Sequence, residues 1–327
     1  MLRHPIRLAH VLLALLAFTP LCEAAAAPYP DRAITMVVPF SPGGGTDVLA
    51  RLIGAKLQIA MGQPVVVENR AGANGAIASR SVLSQPADGY TLLFASHSTQ
   101  VIAPLVARQA GRPMEPAPSA FTALSILANA PLVLAVNANS PYHTLAEYLA
   151  GAKSRDTTFG TFGVGSSAHL MGAMLAASSR AQLTHVPYKG SSPATTDLLG
   201  NQVDSVILTV AAIDKLVDAG KLRALAVSSK ARVSALPTVP TLAESGFTGM
   251  SDTGWFAVFA PTKTPTEISD SLSTALARIV AEESVRTKML ELGLEPVGSS
   301  MDEARTIWQR SMESAASILS KVKIDLQ

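Results

Sequence analysis

A run of three glycines near the start of the chain joins an apolar segment to a helical pattern. Residues 34–39 have the composition of a buried strand, and residues 41–47 read Ser-Pro-Gly-Gly-Gly-Thr-Asp. Glycine lets the backbone turn sharply and approach a ligand, and the first amides of a helix have no intrahelical partners. Because the helix dipole adds positive potential there, the segment predicts an anion site, with Asp47 stabilised by the helix start.

Three more turns between a strand pattern and a helix pattern are rich in glycine, hydroxyl or amide residues. They are residues 71–75, 96–100 and 163–169, the last reading Gly-Val-Gly-Ser-Ser-Ala-His. A single glycine usually marks only a tight turn, but repetition favours several helix starts facing one cleft. Ser167 would then offer its hydroxyl and amide as donors, with His169 on the first helical turn.

Nucleotide binding is disfavoured by what these turns lack. The segment 163–168 matches the loose dinucleotide pattern, but no acidic residue ends the next strand, residues 184–188. The Gly43 loop has no Gly-Lys-Ser/Thr sequence, so it is not a P-loop. No spacing of His and Asp indicates a metal site, and we expect neither metal nor cofactor.

A secreted serine hydrolase stays open as an alternative, because Ser167 and His169 could supply two members of a triad. The pattern Gly165-x-Ser167-x-His169 lacks the last glycine of a nucleophile elbow, so the donor interpretation is favoured. A histidine at such a position is more often a structural residue than a general base.

The first 26 residues are typical of a cleaved secretory signal. Arg3 and Arg7 precede an apolar run over residues 8–18, and small residues follow, which predicts cleavage after Ala25 or Ala26. The run is shorter than the roughly 20 residues of a membrane span. The formal net charge of the whole chain is +2, without Lys/Arg runs, which argues against a nucleic-acid partner.

Strand and helix patterns alternate in two series, over residues 34–95 and 132–228, which predicts two α/β units with parallel sheets. Between the series, residues 109–119 predict irregular chain. The tail has one strand pattern, residues 255–260, and two long helical patterns, residues 267–292 and 300–321, and it should pack back on the first series. Capping boxes are predicted at Thr144, Thr264 and Ser300, and a helix stop at Gly293. The expected division is lobe I (27–127 and 255–327) and lobe II (128–254), with a cleft between them.

Several ordered motifs closely resemble the Bug family, the extracytoplasmic solute receptors of tripartite tricarboxylate transporters. They are Val-Pro-Phe-Ser-Pro-Gly-Gly-Gly-Thr-Asp at 38–47, Val-Val-Val-Glu-Asn-Arg-Ala-Gly-Ala-Asn-Gly at 65–75, Gly-Ser-Ser-Ala-His-Leu at 165–170, His-Val-Pro-Tyr-Lys-Gly at 185–190 and Leu-Pro-Thr-Val-Pro-Thr at 236–241. The match runs from Tyr29 almost to the C-terminus. It implies an α/β type II periplasmic binding fold, two lobes with a hinge and an interdomain cleft.

The resemblance further implies a periplasmic, non-enzymatic and monomeric receptor. It would capture an organic acid, an acidic amino acid or an aromatic acid and deliver it to the membrane subunits of a transporter. A ligand-binding partner of a membrane sensor remains a second alternative. Carried over by motif, the ligand-binding residues would be Ser41, Pro42, Gly43, Gly44, Thr46, Asp47, Ser96, His97, Gly165, Ser166, Ser167, His169 and Tyr188.

Two departures from the family pattern are present. Residues 112–118 replace the usual Tyr-Asp-Pro-type segment, which leaves the conformation of that connection open, and Phe162 and Val164 stand where small or polar residues are common. If Phe162 faces the cleft, an aromatic or less polar acid is favoured. Two alternatives stay open for Lys189, which could pair with an anionic ligand or be solvated. Trp255 and Phe256 are expected in the core rather than in the cleft wall.

Overall fold

The structure of the protein, a computed structural model, describes residues 29–112, 116–250, 254–322 and 324. The predicted signal segment and residues 113–115 of the predicted irregular connection lie outside the described residues. The end of that connection forms a short 3₁₀ turn, Pro118–Ala120.

The chain alternates strands and helices, as predicted. The strands are β1 Ile34–Val38, β2 Val65–Asn69, β3 Thr91–Ser96, β4 Phe121–Ala130, β5 Leu132–Asn137, β6 Thr157–Thr161, β7 Leu183–Pro187, β8 Ser205–Thr209, β9 Leu222–Val227, β10 Gly254–Pro261 and β11 Glu295–Pro296. The α-helices are α1 Gly45–Met61, α2 Ala76–Leu83, α3 Ala103–Gln109, α4 Leu145–Gly151, α5 Ser167–Ser179, α6 Ser191–Leu199, α7 Val210–Asp218, α8 Thr266–Ala281, α9 Glu283–Glu291 and α10 Met301–Leu319.

Two sheets organise these elements. The first has the order β11-β4-β10-β3-β1-β2 and the second the order β7-β6-β8-β5-β9. Helix α1 covers the first sheet with Leu49, Ile53 and Leu57, which are spaced four residues apart and fully buried. Two of the tail helices, α8 and α10, pack against β4 of the same sheet. We call the part of the chain built on the first sheet lobe I, and the part built on the second sheet lobe II.

Both sheets are mixed, so the prediction of parallel sheets is wrong for one part of each. In lobe I, β10 is antiparallel to β3 and β4, and in lobe II, β5 is antiparallel to β8 and β9. The reason is the path between the lobes. The chain leaves the first sheet through β4, passes Pro131 and enters the second sheet directly as β5, and it returns to the first sheet as β10. These strands therefore do not belong to right-handed βαβ units.

Two elements between the two α/β series were not predicted from the sequence. Strand β4 is nearly continuously buried and lacks the alternation of a half-exposed strand. A π-helical turn, Ser98–Ile102, leads into α3, and all five of its residues are buried.

Two of the three predicted capping boxes form, and the predicted helix stop is present. Both hydrogen bonds of a capping box are present at Thr144 and at Ser300. The capping box predicted at Thr264 is wrong. Pro265 has an extended backbone (φ −52°, ψ 140°) and is itself the N-cap residue, so α8 begins at Thr266 and Thr264 lies outside the helix. The predicted long helix 267–292 is interrupted at Glu282, which is also extended. Gly293 follows the last turn with φ +68°, as a left-handed helix stop requires.

Candidate functional site

A cavity lies between the two lobes, at the carboxyl ends of strands from both sheets. This is the place where α/β folds hold ligands. The residues that line it are Phe40, Gly44, Thr46, Ser96, His97, Ser98, Ala130, Leu132, Phe162, Ser167, Ser191, Thr209, Gly254, Trp255 and Phe256.

Four helices begin at this cavity, one from lobe I and three from lobe II. Gly44 is the N-cap residue of α1, Ser167 and Ser191 are the first residues of α5 and α6, and Thr209 is the N-cap residue of α7. Helix N-termini present amide donors and positive potential. Among the described residues that line the cavity there is no Asp, Glu, Lys or Arg. The cavity is thus electrostatically suited to an anion, which the helix starts would stabilise in place of a cationic side chain.

Asp47 holds the glycine loop in shape and does not line the cavity. Its carboxylate accepts hydrogen bonds from the Gly43 amide (2.9 Å), from Asn69 Nδ2 (2.9 Å) and from Arg51 Nε (3.0 Å). Burial by itself would raise the pKa of Asp47, but these hydrogen bonds and the Arg51 charge leave the pKa below its ordinary value. The fixed carboxylate keeps Gly43 at φ +82° and orients the start of α1.

Hydrogen bonds between the lobes close one side of the cavity. The Ser41 amide and the Ser41 hydroxyl both donate to the Lys189 carbonyl at 3.0 Å, and Ser192 Oγ donates to the Pro42 carbonyl at 2.8 Å. Lys189 thus takes part through its backbone, while its side chain is exposed on an outer groove.

A second set of contacts closes the other side. The Ser98 and Ser167 hydroxyls lie 2.6 Å apart, and the Ser167 amide donates to Ser98 Oγ at 3.0 Å. Asn74 Nδ2 donates to the Val164 carbonyl at 3.1 Å. The two lobes are therefore in contact on both sides of the cavity.

His169 supports the backbone of the second loop. Its Nδ1 accepts the Gly165 amide (3.2 Å), and its own amide donates to Ser166 Oγ, the N-cap of α5 (3.1 Å). The ring stacks on His185 with centroids 3.6 Å apart. Burial, and then the neighbouring His169, lower the pKa of His185 to about 3. Ser167 bonds to Ser98, and Nδ1 of His169 accepts the Gly165 amide, so these contacts hold the two loops in place.

Aromatic rings from both lobes form the apolar part of the cavity wall. Phe40 of lobe I and Phe162 of lobe II meet edge to face, with centroids 5.8 Å apart. Trp255 and Phe256 are each 2% exposed, so they belong to the core as expected, and they also line the cavity. Phe162 faces the cleft, which is the condition under which the sequence favours an aromatic or less polar acid.

The predicted binding residues are divided between the cavity wall and the loops behind it. Gly44, Thr46, Ser96, His97 and Ser167 line the cavity. Gly165 and Tyr188 line the outer groove, where the Tyr188 hydroxyl donates to Asp197 Oδ2 at 2.6 Å. The others shape the loops and lie outside the cavity lining: Ser41, Pro42, Gly43, Asp47, Ser166 and His169.

Three polar residues of the cavity wall were not predicted from the sequence as site residues: Ser98, Ser191 and Thr209. Thr209 is 7% exposed, and its hydroxyl has no hydrogen-bond partner among the described residues. The same holds for the predicted Ser96, which is 6% exposed. One signal for Thr209 was available, since a hydroxyl residue directly after a buried strand and before a helix is a typical N-cap.

In the part of the chain that the structure describes, no group of three or more His, Cys, Asp or Glu residues could hold a metal ion. Within the same residues, no helix is both long and apolar enough to cross a membrane.

Two α/β lobes with an anion-suited cavity between them define a solute-binding protein. Residues 49–324 match the sequence profile of the tripartite tricarboxylate transporter family receptor, and the chain belongs to this family. The protein BugT of Bordetella pertussis is 38% identical over 281 residues, covering 85% of each chain. This membership confirms the predicted family and a receptor rather than an enzyme.

Solved structures agree with this assignment. The Rhodopseudomonas palustris protein Rpa4515, solved with adipate, is 35% identical and superposes with a TM-score of 0.86 over 90% of this chain and 99% of that one. MatC from the same organism, solved with malate, is 29% identical with a TM-score of 0.83 over 89% and 100%. The type II periplasmic binding fold is thereby confirmed.

Proposed function

We propose that the protein binds a small carboxylate in the cavity between its lobes and passes it to the membrane subunits of a tripartite transporter. Receptors of this family are periplasmic, and we infer that this chain is exported by cleavage of residues 1–26 and acts as a monomer. The observation that carries the proposal is the convergence of four helix N-termini on a cavity whose described lining has no charged side chain.

The binding roles follow from the positions of the residues. Gly44, Thr46, Ser96, His97 and Ser167 would contact the ligand, together with Thr209. The predicted residues outside the lining would act through the loops, as Asp47 does through Gly43. Adipate and malate are bound by relatives with the same fold, which supports a carboxylate as the ligand here.

We infer that the two lobes, residues 27–127 with 255–327 and residues 128–254, open and close about their connections. Every interlobe bond at the rim, such as Ser41 to Lys189 and Ser192 to Pro42, must break for a ligand to enter. Closure would exclude water, which strengthens hydrogen bonds to the carboxylate. This is hinge motion of the kind that two-lobed binding proteins use.

The proposal is tested with protein that has been unfolded, dialysed and refolded to remove bound ligand. Thermal-shift screening against organic acids should find a stabiliser, because a ligand at a hundred times its Kd adds about 2.7 kcal/mol of stability. A lack of response to every acid in refolded protein would refute carboxylate binding.

Transport is distinguished from sensing by the partner. Affinity purification of the loaded receptor from membranes should recover transporter subunits; recovery of a sensor protein instead would support the sensing alternative and contradict delivery. Ester hydrolysis that disappears in Ser167→Ala would establish the hydrolase alternative, and we expect no turnover.

A further inference from the structure

The apolar part of the cavity wall carries information about the ligand beyond its carboxylate. Phe40 and Phe162 come from different lobes and meet edge to face at 5.8 Å, so the ring pair exists only when the lobes are in contact. Trp255 and Phe256 add two more rings from lobe I. A ligand enclosed here would touch aromatic surface contributed by both lobes.

The charge pattern of the same wall argues against two other ligand classes. The ammonium group of an amino acid would find no acidic side chain in the described lining, and the nearby Asp47 is 4% exposed, does not line the cavity and already accepts from Gly43, Asn69 and Arg51. A second carboxylate placed against the rings, away from the helix starts, would lose its hydration without a hydrogen-bond donor to replace it, which is costly.

The polar groups are sufficient for one carboxylate. The unpartnered hydroxyls of Ser96 and Thr209 come from opposite lobes, and each side chain is more than nine-tenths buried. With the amides of the helix starts they can satisfy the roughly four acceptor positions of a single carboxylate.

We propose that the ligand is an aromatic carboxylate and that Phe162 is the residue that selects it. This rests on the proposed function, since it concerns the same cavity. The ring of the ligand would pack against Phe40 and Phe162 while its carboxylate meets the helix starts. Edge-to-face ring contacts favour an aromatic body over a saturated body of equal size by about two- to tenfold in affinity.

Titration calorimetry with six probes tests the proposal: benzoate, cyclohexanecarboxylate, benzamide, succinate, adipate and glutamate. We expect benzoate to bind at least about tenfold more tightly than succinate, adipate or glutamate, and more tightly than cyclohexanecarboxylate. Tighter binding of any aliphatic acid than of benzoate would overturn the aromatic assignment and leave the carboxylate receptor intact.

Two further outcomes separate this inference from the proposed function. Benzamide equal to benzoate would refute anion recognition while an aromatic preference survived. Failure of all six probes would overturn both. The wild-type measurements decide between these results even if a variant does not fold.

Variants at the ring pair provide the second test. Phe162→Leu keeps an apolar side chain and removes the ring, so benzoate affinity should fall about two- to tenfold while adipate affinity stays within twofold. Phe247→Leu is the matched control, because Phe247 packs half-buried in lobe II away from the cavity. Equal losses in both variants, or none in Phe162→Leu, would refute the role of Phe162.

Discussion

Substitution of Gly45 by alanine should block closure of the lobes without disturbing either lobe. Gly45 is the first residue of α1, and its φ lies outside the left-handed region, so alanine fits the backbone. A Cβ there would lie 2.5 Å from Thr209 Oγ1 and 3.1 Å from Ala211 Cβ, whereas ordinary contact starts at 3.4 Å. Both neighbours belong to lobe II. The lobes would therefore have to separate by roughly 1 Å, because close-packed groups do not yield freely.

The size of the effect follows from the cost of overpacking, about 1–3 kcal/mol. If this cost falls on the closed state alone, the apparent affinity for the acid found in the screen should drop by roughly five- to 150-fold. The circular dichroism spectrum should stay unchanged. Calorimetric titration of the variant measures the loss.

A double-mutant cycle separates the clash from other causes. In Gly45→Ala with Thr209→Ala the nearest atom would be Ala211 Cβ at 3.1 Å, so part of the affinity should return relative to the sum of the single effects. Gly200→Ala is the matched control away from the cavity, because its Cβ would lie 3.5 Å from the nearest atom, the Thr196 carbonyl oxygen, and should leave the affinity unchanged. Additive effects in the cycle, or equal losses at Gly200 and Gly45, would refute the reasoning.

Three more predictions concern stability and the loop behind the cavity. His185 has a folded pKa of about 3 against 6.5 ordinarily, so the unfolded chain binds the proton first and stability should fall as the pH drops from about 6.5 towards 3. Allowing for the partly exposed ring, the free energy of unfolding should fall by about 1–3 kcal/mol over this pH range, as measured in urea titrations. In His185→Gln the free energy of unfolding should depend less on pH. Thr144→Ala and Ser300→Ala should each cost about 1 kcal/mol in the same assay, whereas Thr264→Ala should cost no cap energy. Asp47→Asn should weaken acid binding by about tenfold in calorimetry, although its side chain lies behind the wall, and unchanged affinity would contradict its positioning role.

The sequence predicted the elements where local chemistry decides them. The strand before the glycine loop, the amphipathic pattern of α1 and the caps at Thr144 and Ser300 all depend on neighbours within a few residues. The capping box predicted at Thr264 also fails for a local reason. Pro265 adopts an extended backbone, which the sequence pattern of a capping box does not indicate.

The antiparallel strands could not be found in this way. Strand β4 is buried on both faces and so shows no alternation. The direction of β5 depends on where the chain crosses between the lobes at Pro131, which is a property of the whole fold.

The site residues follow the same distinction between local signals and placement by the whole fold. Glycine and hydroxyl turns marked Gly44, Thr46 and Ser167 from sequence, because a helix start carries its own local signal. Thr209 ends β8 without a glycine beside it, and Ser191 follows the single glycine Gly190, so neither has the repeated-glycine signal. Both residues reach the cavity through the approach of the second lobe to the first. The sequence marked Phe162 as unusual, but its edge-to-face contact with Phe40 could be recognised only in the structure.

A crystal structure of the refolded protein with the acid that stabilises it most tests the central claim directly. We predict a carboxylate inside the cavity, within about 3.2 Å of amide or hydroxyl donors at the starts of α1 and α5, with both lobes in contact with the ligand. A carboxylate bound outside the cavity, for example against the Lys189 ammonium in the outer groove, would contradict the account.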